Sequence, residues 1–431
     1  DSKNSSDENT STAGRKSIRK PNRQQVEFKI GSLDELLPSD HRARDVWDYV
    51  VSLDLTGFHG KIKIAEGCSG PRTTDPRVLL ALWLYAMLQG IASARHIATL
   101  SKMHHAYIWI CGGVSVNYHT LSDFRTQDPE NFHLLLQESI ALMWKTGKFK
   151  PEIVAQDGTR IKAAAGLSSA RREPTLKQYL TEAQEYLKAL EEEHAANPSA
   201  SSLREKVSRQ RAALERKERL EKAQAEMEKY KQDRIQLAKK NHNSLSQIDL
   251  ENTRVSTTDP ECRKMKMGDG GFRLAYNVQF ATSTDKQVIL GVDVVNILDP
   301  GTLAPMMRQV KKILSNIGCP MPSKWLADSA YANKADTEEA ETNFSDVSLY
   351  SPPIGNGKVD ALTPRKTDNA AMINLRERMS KEESKVIYKE RSQTAEFANA
   401  AAKNRGMGKT LVRGLSKVTS MALMYALVHN M

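Results

Sequence analysis

Residues 152–165 read EIVAQDGTRIKAAA. Two short apolar runs, Ile153 to Ala155 and Ile161 with Ala163 to Ala165, flank Gln156, Asp157 and Gly158. Such runs predict a strand through the core of a sheet with one carboxylate in its middle. Aspartate is depleted in strands, and a buried carboxylate is costly unless something pairs with it. A divalent cation is one such partner. The same residues also read as a turn, because Asp-Gly is a common turn pair.

Two later stretches bear on that choice. Residues 323–333, SKWLADSAYAN, predict a second short strand through Trp325, Leu326 and Ala327 that ends in Asp328. If the two strands are neighbours in one sheet, both carboxylates converge on one site, and hard cations such as Mg²⁺ take few carboxylates plus substrate phosphates. Residues 381–406, KEESKVIYKERSQTAEFANAAAKNRG, lack proline, favour helix and stop at glycine. Glu396 sits inside that helix with Tyr388, Arg391 and Lys403 around it.

Strand Asp, strand Asp, helix Glu is the arrangement of a two-metal phosphoryl-transfer site. Through QDGTRIKAAAG, LADSAYAN and YKERSQTAEFANAAAKNRG with its continuation MGKTLVRGLSKV, the chain resembles the bacterial insertion-sequence DDE transposases. The resemblance extends to the helical region from about Arg72 to Arg125. It implies an α/β, RNase H-like catalytic core. It further implies that Asp157 bridges two Mg²⁺ or Mn²⁺ ions and that Asp328 and Glu396 each complete one. Tyr388, Arg391 and Lys403 would hold phosphates. The family signature places three residues between Arg and Glu, whereas four separate Arg391 from Glu396 here. At about 100° per residue this puts the two roughly 140° apart on an ideal helix. Glu390, Glu382 and Glu383 are the competitors for the third carboxylate; the last two lie at the helix start, where acids are favoured without any catalytic role.

The rest of the chain divides by composition. Residues 1–27 are polar, carry Arg15, Lys16, Arg19, Lys20 and Arg23, and read as a disordered basic tail. Residues 28–145 predict an N-terminal helical bundle. Within it Asp75-Pro76 opens a long apolar helix, and Thr120 is a candidate cap for a later one. In a helix-turn-helix reading, Lys102, His104, His119, Thr120, Ser122 and Arg125 face DNA; the competing reading is a bundle that only buttresses the catalytic part. Residues 146–431 form the catalytic domain, interrupted at 167–245 by a charged segment. That segment reads as an inserted helical hairpin, with stripes at Leu176 to Leu190 and at Leu203, Val207, Leu214, Leu220, Met227, Tyr230 and Leu237.

The net charge of +11 and pI of about 9.3 suit a polyanionic partner, here double-stranded DNA. Cys68, Cys111, Cys262 and Cys319 form no Cys-x-x-Cys pair, which argues against structural zinc and a disulfide framework. No run of about 18 apolar residues exists to span a membrane, and the first residues lack the apolar core of a secretory signal. A bacterial cytoplasmic protein, associated with the nucleoid through DNA, is expected. Joining two element ends needs two active sites, so a homodimer on DNA is expected. The rival readings are an RNase H-like nuclease without strand transfer and a non-catalytic, transposase-derived DNA-binding protein.

Overall fold

A computed structural model of the chain describes residues 31–59, 73–196, 202–240, 247–355 and 360–431. The basic tail, Cys68 and the Asn197-Pro198 break lie outside these residues.

The N-terminal part is helical: α1 (Arg42–Val51), α2 (Thr56–His59), α3 (Pro76–Leu88), α4 (Ala94–Met103), α5 (His105–Cys111), α6 (Tyr118–Arg125) and α7 (Pro129–Lys145). Asp75 caps α3 by accepting from the Arg77 N–H, with Pro76 in the first turn, where its missing N–H costs nothing. For α6 the cap is Asn117 rather than Thr120: the Asn117 side chain accepts the Thr120 N–H at 2.9 Å. The helix therefore starts one turn earlier than Thr120 would place it.

The remaining elements follow in order: β1 (Ile153–Lys162), β2 (Ala170–Arg171), α8 (Glu173–Ala196), α9 (Leu203–Lys240), α10 (Gln247–Glu251), β3 (Val255–Ser256), β4 (Arg263–Lys266), β5 (Phe272–Ser283), β6 (Ile289–Val295), α11 (Leu303–Asn316), β7 (Lys324–Leu326), α12 (Lys334–Asn343), β8 (Ser348–Tyr350), α13 (Ala370–Ser380), α14 (Glu382–Arg391), α15 (Phe397–Ala402) and α16 (Leu415–Asn430). The main sheet runs β5-β1-β7-β8. β1 pairs antiparallel with β5 and parallel with β7, and β8 extends the parallel half. On the far edge of β5, β4 pairs with its first residues and β6 with its later ones.

The α8 and α9 helices run antiparallel, as the Lys231–Glu173 and Arg209–Glu193 ion pairs at opposite ends require. Their seam holds Leu176, Ala183, Leu187 and Leu190 against Ala213, Leu220, Ala223 and Met227. Val207 and Leu214, read above as seam residues, are exposed instead. The small Ala213 and Ala223 occupy the seam, where they let the helices approach closely. Elsewhere one continuous core joins the bundle to the sheet. Its centre is α16, buried from Met421 to Val428 and packed against α3, α7 and β6.

Gly158 shows why an Asp-Gly pair sits in a strand here. It follows Asp157 on the opposite face of β1. A Cβ at Gly158 would lie 2.2 Å from Asp299 Oδ1, 2.3 Å from Gln279 Nε2 and 2.7 Å from Asn277 Oδ1. The Asn277 and Gln279 amides both donate to Asp299 Oδ1 at 2.9 Å, in a buried polar cluster lying directly over the glycine. Gly158→Ala should therefore force this cluster apart and destabilise the fold by roughly 1–3 kcal/mol, the usual cost of overpacking. Denaturant unfolding of the variant checks this; an unchanged midpoint would show that the cluster yields freely.

Candidate active site

The register of the sheet brings the two strand aspartates together. Ala155 pairs with Leu326 across the parallel β1–β7 ladder. Two residues further along each chain stand Asp157 and Asp328, on the same face because side chains alternate with period two. Asp328 lies just past β7, where its carboxylate accepts the Ala330 N–H at 2.8 Å and caps a short 3₁₀ turn.

The helical segment from α14 to α15 covers this face. Arg391 Nη2 lies 3.4 Å from Asp157 Oδ1 and 4.0 Å from Asp328 Oδ2, so one guanidinium bridges both carboxylates. Asn399 Nδ2 donates to Asp157 Oδ2 at 3.0 Å. Two atoms of these partners, Arg391 Nε and Asn399 Oδ1, are buried without a hydrogen-bond partner. Asp157 is pushed up to about 6: burial raises it, the Arg391 charge opposes this, and Asp328 beside it raises it again. Tyr388 is half-buried nearby, and its hydroxyl is raised by burial and by the charges of Asp328 and Asp157, with Arg391 opposing.

The other predicted residues separate. Glu396 and Lys403 are exposed. Among the described residues no three His, Cys, Asp or Glu side chains converge on one point, so Glu396 stands outside the Asp157–Asp328 pair. The backbone around it is unusual. Between α14 and α15, residues Ser392–Glu396 form a π-helical turn. That turn absorbs the extra residue between Arg391 and Glu396. A π turn closes i→i+5 bonds, so it carries Glu396 back toward the Arg391 face from the position an unbroken α-helix would give it. The helix ends through Gly406, at φ 93°, where an added Cβ would lie 3.3 Å from the Gly90 carbonyl oxygen of the bundle.

Within the bundle, Lys102 and His119 are exposed, and Thr120 and Ser122 are half-buried. Arg125 does not face outward, contrary to the helix-turn-helix reading. It is 5% exposed, donates to the Ala92 carbonyl at 2.7 Å and stacks over Trp83 at 4.6 Å. The apolar rings at the bundle's centre draw its long side chain inward. Sequence reasoning missed two residues. Asn399 carried no signal beyond its place on the helix. Arg95 stacks on the Tyr118 ring at 4.9 Å beside His119, and a basic residue at that exposed position on α4 could have been noticed.

The free cysteines Cys111, Cys262 and Cys319 are buried and play no part in the site. No helix among the described residues is long and apolar enough to cross a membrane.

Comparison with known proteins finds two matches to family models. Residues 31–127 match "Transposase domain (DUF772)", and residues 356–431, which include Arg391, Glu396 and Asn399, match "Transposase DDE domain". No curated protein and no solved structure matches. The two matches lie at opposite ends of the chain, one on the helical bundle and one on the segment that covers the paired aspartates, and together they support an insertion-sequence DDE transposase.

Proposed function

We propose that this transposase cuts DNA at the ends of its element and joins them to a target by phosphoryl transfer on an RNase H-like core. The observation that carries this is the pairing of Asp157 and Asp328 on one face of adjacent parallel strands. The sheet supports it as well, with three antiparallel strands, β6, β5 and β1, continued by the parallel β7 and β8.

The donor set fits a hard divalent ion such as Mg²⁺ or Mn²⁺. It offers two carboxylates and the unpartnered amide oxygen of Asn399. Asp157, Asp328 and Glu396 would hold the ions. When bound, a pair of such ions activates an attacking oxygen and stabilises the leaving one. Glu396 qualifies through its place on the π-helical turn that follows Arg391 and its exposed side chain. π turns inside α-helices are frequent at functional sites.

The chain's own groups do the rest. Arg391 neutralises the two aspartates in the free protein, and its guanidinium can grip a phosphate once cations take over that role. Its unpartnered Nε is one donor for that grip. Asn399 fixes the rotamer of Asp157 through its Nδ2 bond. Tyr388 and Lys403 line the approach and bind the strand being cut. Element ends are read by the exposed face of α4 and α6, with Lys102, Arg95 and His119, while Thr120 and Ser122 lie at its margin. The partner is double-stranded DNA, and the enzyme works as a homodimer on it, in the bacterial cytoplasm at the nucleoid.

Asp157→Asn, Asp328→Asn and Glu396→Gln should each abolish Mg²⁺- or Mn²⁺-dependent nicking of supercoiled plasmid while keeping DNA binding. Glu390→Gln should keep most activity. A nicking-competent Asp157→Asn protein would sink the assignment, and nicks without joined products would favour the nuclease reading.

The raised Asp157 also predicts a pH dependence. The folded state holds the proton up to about pH 6, while the unfolded chain loses it near 3.8. Native protein thus binds more protons in that window, so this group's contribution to stability falls as pH rises through it. Relative to the wild type, Asp157→Asn in chelator should gain roughly 1–3 kcal/mol of stability between pH 4 and pH 7. Denaturation at the two pH values measures this; a pH-independent difference would mean that Asp157 is not held neutral.

Footprinting and scattering test assembly and end recognition together. The Lys102→Ala, His119→Ala double variant should lose protection of element ends, and the wild-type end complex should contain two chains. A normal footprint would place recognition elsewhere, and one chain bound to two ends would refute the dimer.

A further inference from the structure

We propose that the joint between the α8–α9 pair and the sheet is a second DNA contact, one that grips the sugar-phosphate backbone of the duplex next to the cleaved bond. This rests on the DNA-cutting function proposed above and assigns a role to the inserted helices.

Three open clefts surround the joint. One, of about 360 Å³, is lined by Arg216 and Arg219 of α9, Arg413 from the loop before α16, Thr257, Thr258 and Tyr179. Two others, of about 440 and 340 Å³, share Arg254 and Lys264, and Arg172 lines the larger. Arg172, Arg216, Arg219, Arg254, Lys264 and Arg413 are all exposed. None of them takes part in an ion pair among the described residues, although acids are at hand. On α9 itself Lys217 pairs with Glu221, and Lys222 pairs with Glu261 from the turn before β4. Like charges gathered outside ion pairs repel one another, and a polyanion that enters the clefts relieves this. Arginine suits the role because its planar fork grips phosphate oxygens in pairs. The Thr257 and Thr258 hydroxyls add neutral donors of the kind that commonly meet the DNA backbone.

The mounts are rigid. Ser256 Oγ accepts the Thr258 and Asp259 N–H groups at 3.1 and 3.0 Å. Next to Arg413, the Gly414 N–H is held by Asp259 Oδ1 at 3.1 Å and the Leu415 N–H by Glu261 Oε2 at 2.9 Å. The backbone that carries Thr258 and flanks Arg413 is thus fixed before any ligand arrives.

Position favours a duplex over a small phosphate. From Asp157 to Lys162 the β1 strand advances five residues, about 17 Å at ~3.3 Å each. There Lys162 pairs with Lys409, its N–H donating to the Gly408 carbonyl at 3.2 Å. Beyond it the chain enters β2, which pairs with β3 and leads directly to Thr257 and Thr258. Lys162, on the face of β1 opposite Asp157, and Lys409 thus stand along the chain between the aspartate strand and the clefts, and several clefts with separate cations suit a polymer with regularly spaced phosphates better than one small phosphate.

The test measures the binding of a fluorescein-labelled duplex of mixed sequence to the full chain across a salt series. In the Arg216→Gln, Arg219→Gln, Arg413→Gln variant, affinity at low salt should fall roughly tenfold or more. The slope of log affinity against log salt should shrink by about 2–3, near 0.9 per lost phosphate contact. The matching lysine variant keeps the charges and should retain most of the slope. A control triple at Lys188, Arg209 and Arg211, further along the helices, should change the slope little. An unchanged slope in the glutamine triple would overturn the proposal, as would an equal loss in the control. Failure of the wild type to bind duplex at all would overturn the proposed function itself.

Discussion

A carboxylate in the middle of the central strand is the constraint on which this structure turns. Asp157 pairs with β5 on one side and stands just beyond the β1–β7 ladder on the other, and its carboxylate is largely withdrawn from water. An uncompensated charge there would cost several kcal/mol, which is why burial drives its proton affinity up. The fold answers with one guanidinium and one amide, both from the segment that closes over the strand. That segment must therefore cross β1 at a fixed height, and the height fixes where Glu396 and Lys403 emerge. In the proposed function, catalysis and stability would pull in opposite directions at this point: the same pair of aspartates that repel each other in the free protein is the pair a divalent cation would need.

The π-helical turn at Ser392–Glu396 is the local consequence. Arg391 has to reach two aspartates, while Ala395, Ala398 and Ala402 must lie flat against the sheet. An unbroken α-helix with this spacing would turn Glu396 well away from Arg391. One extra residue taken up in a single wide turn keeps the alanine face buried and narrows that angle. The alanines matter for the same reason as in the α8–α9 seam, since small side chains allow backbones to approach.

The opposite face of β1 is organised around a buried polar network, in which Arg160 also lies 3.7 Å from the Asp299 carboxylate. Gln156 donates to Gln279 and accepts from Trp325 Nε1, and Tyr331 donates to Gln279. Asp299 is received by two amides over Gly158. A buried network of this kind is stable only when its members are mutually satisfied. It holds β5, β1 and β7 in one register, and that register places Asp157 level with Asp328. The polar side of the sheet thus sets the geometry of the charged side.

Much of this was legible in the chain itself. The apolar runs around Asp157 and Asp328, the capped helix at Asp75-Pro76 and the glycine stop at Gly406 are local signals, because strand periodicity and capping act within a few residues. The order of the three acidic stretches carried the family resemblance for the same reason: motifs are local. What the chain alone left open was decided over long range. Whether Asp157-Gly158 is a turn or a strand depended on Asp299, more than a hundred residues away, lying over the glycine. Arg125 was drawn inward by Trp83, and Val207 and Leu214 were turned outward by the choice of Ala213 and Ala223 for the seam. Asn399 became a partner of Asp157 only because one helix crosses one strand at one angle. Sequence patterns state which residues prefer burial or a turn; which side chains meet is set by packing between distant segments, and that is a property of the folded chain alone.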